Sequence, residues 1–333
     1  MGELTLLLPG LLGPLPKGAR SWDALEQTLP ALARLLARGR AETSAPSLED
    51  LFRLRSEADA LPAAALGYLG EGRSPGDHAW LRADPVYLRA DQDRLMVFSA
   101  HGLDLRVEEA AALIAELNRL LAEDGMELYA PVPERWYLRL PATPSLQTVS
   151  TLTVSGRYAD AFVPRGKDAG RFSRLGTELQ MLLHMSEVNA RREQRGAAPI
   201  NSVWFWGPGS LPEQVEGTWS RVYSNDPVVL GLAKQAEIAA EPLPSQLDRS
   251  GLDGSTLLTD DTAERALASG DLDQWLRVVR ELEQRWLAPA VEMLAAGAVE
   301  SLLLSTNERA VRVKRSMLKR FWRRGQPLKN LIT

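Results

Sequence analysis

The chain has 333 residues, of which 45% are hydrophobic and 25% charged, the profile of a soluble globular protein of about two domains. It has no cysteine, which excludes disulfides, thiolate metal sites and a cysteine nucleophile. Net charge is −4 but unevenly spread: residues 309–333 hold nine basic side chains and no acid, leaving the first 308 residues at −13. A basic end on an acidic body points to an anionic partner or an internal dock. The apolar start carries Glu3 where a signal peptide needs Lys or Arg, and Pro9, Gly10, Gly13, Pro14 and Pro16 break it. No run approaches the ~20 apolar residues of a membrane span, so a cytoplasmic location is expected.

In chain order, Leu4–Leu8 reads as a buried strand. A helix is predicted over Leu29–Gly39, with Pro30 just inside its start and Gly39 just past its end. Ser47-Leu-Glu-Asp50 has capping-box spacing, with a helix expected to about residue 60 and another over 62–70. Gly70–Asp77 reads as a linker. Trp80–Ala90 and Arg94–Ser99 read as strands, with Pro85 marking a bulge or an edge. Val107–Leu121 is an amphipathic helix and Glu127–Leu140 is β-rich, so the order ββαβ suggests a small α+β domain. Arg174–Arg195 is helical. Asp226–Ala236 reads as a short helix and Leu272–Leu294 as a long one, with Trp275, Val279, Leu282 and Trp286 on one face. Strands are predicted at Val299–Ser305 and Ala310–Lys314, then a helix from Ser316 to Arg324. The stretch 237–262 favours loops.

Asn201-Ser-Val-Trp-Phe-Trp-Gly-Pro-Gly209 is the most informative stretch. Alternation with aromatics predicts a strand, the glycines let the backbone turn at its end, and strand ends are where α/β proteins place ligands. Together with Leu29-Pro30-Ala31-Leu32, Gly67-Tyr68, Trp80-Leu-Arg-Ala-Asp84 and Asn189-Ala-Arg-Arg-Glu-Gln-Arg-Gly196, it resembles the archaeal-type cofactor-independent phosphoglycerate mutases of the alkaline phosphatase superfamily. More narrowly, Asp77–Val86, Glu178–His184, the Asn201 motif and Trp322–Leu328 resemble a related bacterial family described as RpfE-type regulatory proteins. The resemblance implies an α/β core sheet with helices on both faces, discontinuous over 1–78 and 156–333, and an inserted α+β domain over 79–155.

The mutases use two divalent metals held by Asp and His and a phosphorylated serine, and a two-metal site needs several hard or imidazole ligands. The resemblance implies an Asp directly after the first strand; here stands Leu8-Pro9-Gly10. It implies an Asp-His pair after the last core strand; Leu302–Ser305 leads instead into Thr306-Asn-Glu-Arg309. Asp260 and Asp261 fall near a further family ligand segment without matching it. The histidines are His78, His101 and His184, with none after residue 184. Asp77-His78 reads as a surface or hydrogen-bonded pair. His184, on a helix, is either capped or lines a crevice.

Ser47 lies nearest the family's nucleophile position, but Leu48 stands where the family has Asp, and an N-cap role accounts for the serine. Gly207-Pro-Gly209 lacks the third glycine of a dinucleotide fingerprint, and no Walker, Gly-x-Ser-x-Gly or His-Glu-x-x-His motif occurs. Trp204 and Trp206 share one side of their strand, either as core or as the wall of a pocket. Arg82 matches an arginine of the mutase inserted domain and is either an anion contact or an ordinary strand residue. The expectation is a non-catalytic, regulatory protein without metal or cofactor. It would bind a partner protein or small anionic ligand at a degenerate cleft of Asn201, Trp204, Trp206, Gly207, Gly209, His184 and Arg82, with Ser47 a vestigial nucleophile position. The alternatives are a metal-dependent phosphomutase or phosphatase with a rebuilt site, and an anion or nucleic-acid binder through Arg315, Lys319, Arg320, Arg323 and Arg324.

Overall fold

In the computed structural model, the residues described are 2–13, 29–55, 60–248, 254–306 and 309–319. In chain order the strands are β1 (Glu3–Leu7), β2 (Arg40–Ala41), β3 (Arg53–Arg55), β4 (Ala79–Asp91), β5 (Arg94–Ser99), β6 (Glu127–Val132) and β7 (Arg135–Leu140). They continue with β8 (Ser202–Gly209), β9 (Gln214–Glu216), β10 (Arg221–Ser224), β11 (Ala239–Glu241), β12 (Thr256–Thr259), β13 (Ser301–Ser305) and β14 (Ala310–Lys314). The helices are α1 (Pro30–Arg38), α2 (Leu48–Leu51), α3 (Ala63–Gly70), α4 (Val107–Leu121), α5 (Thr151–Val154) and α6 (Ala169–Met185). After them come α7 (Glu187–Gln194), α8 (Pro227–Gln235), α9 (Thr262–Ala268), α10 (Leu272–Leu282) and α11 (Ala288–Ala296).

The chain divides into two compact units, Met1–Leu54 with Gln214–Thr333, and Arg55–Glu213. These bounds differ from the expected division at 78/79 and 155/156, because β8 pairs along β4 from Val86↔Ser202 to Trp80↔Gly209.

The first unit is an α/β layer around a seven-stranded sheet of order β11-β10-β12-β1-β13-β14-β2. Strands β11, β10, β12, β1 and β13 run parallel, and β14 and β2 are antiparallel additions. Leu4 and Leu6 of β1, Leu302 and Leu304 of β13 and Val311 and Val313 of β14 fall on one face by register. They pack with Leu32 and Leu35 of α1 and with Trp275, Val279, Leu282 and Trp286. That tryptophan-bearing stripe is the predicted one, but the helix is interrupted by a π-helical turn at Glu283–Leu287. The inserted residue turns Glu283 inward, where its carboxylate accepts from the backbone N–H groups of Ala31 (2.5 Å) and Leu32 (3.0 Å). Helix α1, whose N-cap Leu29 has no capping side chain, is thus capped by a distant residue.

Strand β12 corrects the reading of 237–262 as loop. It lies between β10 and β1 and all four of its residues are buried. A short parallel strand covered on both faces has no alternation to reveal it. Helix α2 is also shorter than expected: it ends at Leu51, and β3 follows.

The second unit packs β4, β6, β7 and β8 against α4, α6 and α7, with β5 paired to the far end of β4. Leu81 and Ala83 of β4 and Val203 and Phe205 of β8 face this core, with Leu113, Leu117, Leu175 and Leu179 opposite. On the other edge of β4, β7 pairs with residues 79–82 and β5 with 86–91, so Pro85 stands in the interval between them. The bulge lies elsewhere, at the register shift between Trp80 and Arg82, where β8 carries Gly207 and Pro208. The predicted helix over 174–195 is broken at Ser186, whose hydroxyl caps α7 by accepting from Val188 N.

Candidate functional site

Strand β8 presents Trp204 and Trp206 on one side, as the alternation predicts, and that side faces away from the unit's main core. By register, Trp204 lies beside Asp84 and Trp206 beside Arg82. Arg82 and Asp84 are each 4% exposed. The Arg82 guanidinium donates to Asp84 Oδ1 through Nε (3.0 Å) and Nη2 (2.5 Å). Asp84 Oδ2 accepts from Trp206 Nε1 (2.7 Å) and Thr151 Oγ1 (2.7 Å). The guanidinium lies between the rings of Tyr137 (4.6 Å to the centroid) and Trp206 (5.0 Å). Burial by itself would lower the Arg82 pKa, but the adjoining carboxylate outweighs it and holds the group charged.

Tyr137 extends the network. Its hydroxyl lies 3.2 Å from Glu71 Oε1, which also accepts from Arg135 Nε (2.5 Å). Burial is the main cause that raises the Tyr137 pKa. Nearby, burial and the Glu127 carboxylate push the Tyr129 hydroxyl to about 12. Tyr68 stacks on Trp80 at 4.2 Å and completes an aromatic cluster with Tyr129 and Tyr137.

The remaining residues of the motif hold the strand in place. Asn201 imitates a ladder partner: Oδ1 accepts from Leu88 N (2.7 Å) and Nδ2 donates to Leu88 O (2.9 Å). Trp204 Nε1 donates to Val149 O (2.9 Å). Gly207 N, freed from the ladder by the bulge, donates to Thr148 Oγ1 (3.1 Å). Gly207 has φ +61, and a Cβ there would lie 2.8 Å from Ala63 Cβ. Gly209 approaches Pro62 in the same way. Trp206, Gly207 and Pro208 remain half-buried and form a rim.

His184 is exposed in the last turn of α6. Ser47 belongs to the other unit and completes its capping box, accepting from Asp50 N (3.2 Å) while Asp50 Oδ2 accepts from Ser47 N (2.9 Å). Arg315 and Lys319 are exposed, and Arg320, Arg323 and Arg324 fall outside the described residues. The Asn189–Gly196 motif is structural. Asn189 bridges Leu183 O, Ile200 O and Ile200 N, and Arg192, with no exposure, donates to Ala198 O, Leu103 O, Asp104 O and Glu109. Tyr137, Thr148 and Thr151 escaped the sequence reading, and Asp84 stood in it only as the end of the Trp80–Asp84 motif. The Arg-x-Asp spacing of Arg82 and Asp84, which puts both on one strand face, was the available signal.

Open α/β sheets also bind ligands at the C-terminal edge of their parallel strands. Leu8, Pro9 and Gly10 follow β1 there. Asp260, after β12, is 1% exposed: Oδ1 accepts from Thr262 N (3.0 Å) and Oγ1 (2.6 Å), and Oδ2 from Trp286 Nε1 (2.9 Å). Ser224 and Thr259 hydrogen-bond to each other at 2.7 Å, and Asp226 caps α8. Among the described residues, no group of three or more His, Cys, Asp or Glu side chains is placed to hold a metal ion. No helix among them is long and apolar enough to cross a membrane.

No family model matches the chain. It is similar to the 2,3-bisphosphoglycerate-independent phosphoglycerate mutase of Methanosarcina mazei, 29% identical over an alignment of 201 residues that covers 55% of this chain and 49% of that one. The enzyme of the same name from Methanothrix thermoacetophila is 23% identical over 207 residues, 56% of this chain and 52% of that one. That of Methanosarcina barkeri is 32% identical over 108 residues, 32% and 27% of the two chains. The chain therefore spans about half the length, or less, of the curated relatives it matches. Solved structures also align with it. A cofactor-independent phosphoglycerate mutase from Thermoplasma acidophilum does so at 14% identity and a TM-score of 0.41, over 94% of this chain and 89% of that one. A protein from Pyrococcus horikoshii does so at 12% identity and a TM-score of 0.48, over 94% and 87%. Over about half of its length, the chain is homologous to the archaeal 2,3-bisphosphoglycerate-independent phosphoglycerate mutases.

Proposed function

We propose that this chain is a non-catalytic relative of the phosphoglycerate mutases, a regulatory protein of the RpfE type. It binds a partner protein or small anionic ligand at the rim of Trp206, Gly207 and Pro208. The observation that carries this reading is the condition of Asp84. Both of its oxygens are taken, Oδ1 by the Arg82 guanidinium and Oδ2 by Trp206 and Thr151. A carboxylate saturated by its own neighbours neither ligates a metal nor transfers a proton readily. Asp260 is engaged in the same way by Thr262 and Trp286. After β1, Leu8-Pro9-Gly10 offers no carboxylate where the resemblance implies a metal ligand. What the rim offers is recognition: a half-exposed indole backed by a buried cation, beside backbone that only glycine permits.

The test is metal content by mass spectrometry on the purified full chain, with mutase and phosphatase assays in Mn or Mg. No turnover above the protein-free rate is expected. Stoichiometric metal with turnover would overturn the reading in favour of an enzyme with a rebuilt site. Co-purification with the parent chain and with Trp206→Ala then addresses the rim. A partner or ligand retained equally by both would place binding elsewhere.

A further inference from the structure

Helices α4 and α6 turn their leucine stripes into the core of the second unit. Beside that core, the C-terminal ends of the two helices enclose a hollow of about 460 Å³. Its floor is apolar. Leu120 and Leu182, half-buried against the core, line it together with Met185. Around the floor stand Glu116, Glu123 and Glu187, with Arg119 the one cation among the described residues of the lining. Glu116, Arg119, Leu120 and Glu123 follow the i, i+3, i+4, i+7 spacing that aligns one helix face. Met185 is the last residue of α6, because the chain turns at Ser186 to begin α7. It is 71% exposed, and Met181, one turn earlier on the same helix, is 57% exposed. The other large hydrophobic side chains left exposed among the described residues, Leu95, Val107 and Val163, stand singly on other elements. Scattered single residues are ordinary on a surface, whereas a paired stripe beside an apolar hollow is a docking feature.

The charge of the lining decides what suits it. Among the described residues, Glu116 and Glu123 form no ion pair, and Glu187 meets Arg191 at 4.0 Å, one turn along its own helix. Nucleic acid and anionic lipid carry the same sign as these carboxylates. A second copy seated by the same face would set glutamates against glutamates. A small ligand filling the hollow would leave Met181, which is outside the lining, uncovered. An amphipathic helix covers both parts. Its apolar residues at i, i+3, i+4 and i+7 would lie along Met181, Leu182 and Met185, and lysines or arginines on its flanks would meet the glutamates. Methionine suits such a contact, because its unbranched thioether adapts to the shape laid on it.

We infer that the groove between α4 and α6 docks a basic amphipathic helix of a partner protein. The groove lies on the helical side of the second unit, across the sheet from Trp206, and is independent of the role proposed for that rim. Fluorescence anisotropy of a labelled leucine–lysine peptide of about 14 residues, with leucines at helical spacing, tests it against the full chain. The peptide should bind, and more weakly as salt rises from about 50 to 300 mM. The same peptide with glutamate in place of lysine should not bind. Met181→Ser with Met185→Ser, both at exposed positions, should weaken binding roughly tenfold, and so should Glu123→Lys. Asp93→Lys, the same charge change at the exposed β4–β5 turn, should leave affinity within about twofold of the parent. Four results would each overturn the assignment: no binding of the lysine peptide, equal binding of the glutamate peptide, unchanged affinity in the methionine variant, or equal losses in Glu123→Lys and Asp93→Lys. Self-association of the chain that the methionine variant abolishes would seat a second copy in the groove and also overturn it.

Discussion

Arg82 and Asp84, two residues apart on β4, share one face of the strand and form a buried ion pair, with Arg82 Nε 3.0 Å from Asp84 Oδ1. Two further donors, from Trp206 and Thr151, close the remaining carboxylate oxygen. Through Trp206 the pair also ties β8 to β4.

Removing one partner strands a buried charge. Asp84→Ala should lower stability by about 3–5 kcal/mol, whereas Arg82→Met with Asp84→Leu should come close to the parent. Urea denaturation midpoints make the comparison. A single variant as stable as the parent would show that the pair is not coupled.

Glu109 supports Arg192, which has no exposed surface. Burial works to raise the Glu109 pKa, but the Arg106 N–H and the Arg192 guanidinium outweigh it, so the value is lowered. A carboxylate with a depressed folded pKa contributes stability above its unfolded pKa and loses it as pH falls through the folded one. Stability should therefore decline towards acid. Glu109→Gln should cost about 2 kcal/mol near neutral pH and make that decline shallower. Denaturation midpoints at several pH values would show parallel curves if Glu109 has no such part.

Gly207→Ala should destabilise the second unit by about 1–3 kcal/mol. It places a Cβ in left-handed backbone and against Ala63. Thermal unfolding with Gly176→Ala as a helical control would reveal it, and equal melting temperatures would refute the strain argument.

Glu283 caps α1 from across the core. Glu283→Ala leaves the N–H groups of Ala31 and Leu32 without acceptors and should cost about 2 kcal/mol. Burial, outweighing those two N–H groups, raises the Glu283 pKa, so its contribution shrinks as pH rises through the window between the unfolded and folded values. Hydrogen exchange at the first turn of α1 reports the loss directly. Unchanged protection would mean that another group supplies the cap.

Much of the local structure was legible. Val107–Leu121 and the Trp275–Trp286 stripe carry strong periodicity, and Ser47–Asp50 carries its own cap. Strand β12 was not, because four buried residues between polar segments resemble a loop. The candidate site was half legible. Trp204 and Trp206 share a face as alternation requires, but Asp84, Thr148 and Thr151 lie more than 50 residues away in sequence.

Leu-Arg-Ala-Asp occurs twice on β4 and separates the two levels. In both copies the period of two sets Arg and Asp on the same side, and the local sequence determined that much. In the first copy Arg82 and Asp84 lie beside β8, covered by Trp206, Tyr137 and Thr151, and can satisfy each other only within the protein. In the second, Arg89 is exposed over the ring of Phe98 at 4.7 Å, and Asp91 accepts from Tyr158. The same four residues become a buried ion pair or a solvated hairpin according to which strand pairs beside them and what packs on that face. Tertiary structure alone decides that, because desolvation acts on a charge through everything packed around it.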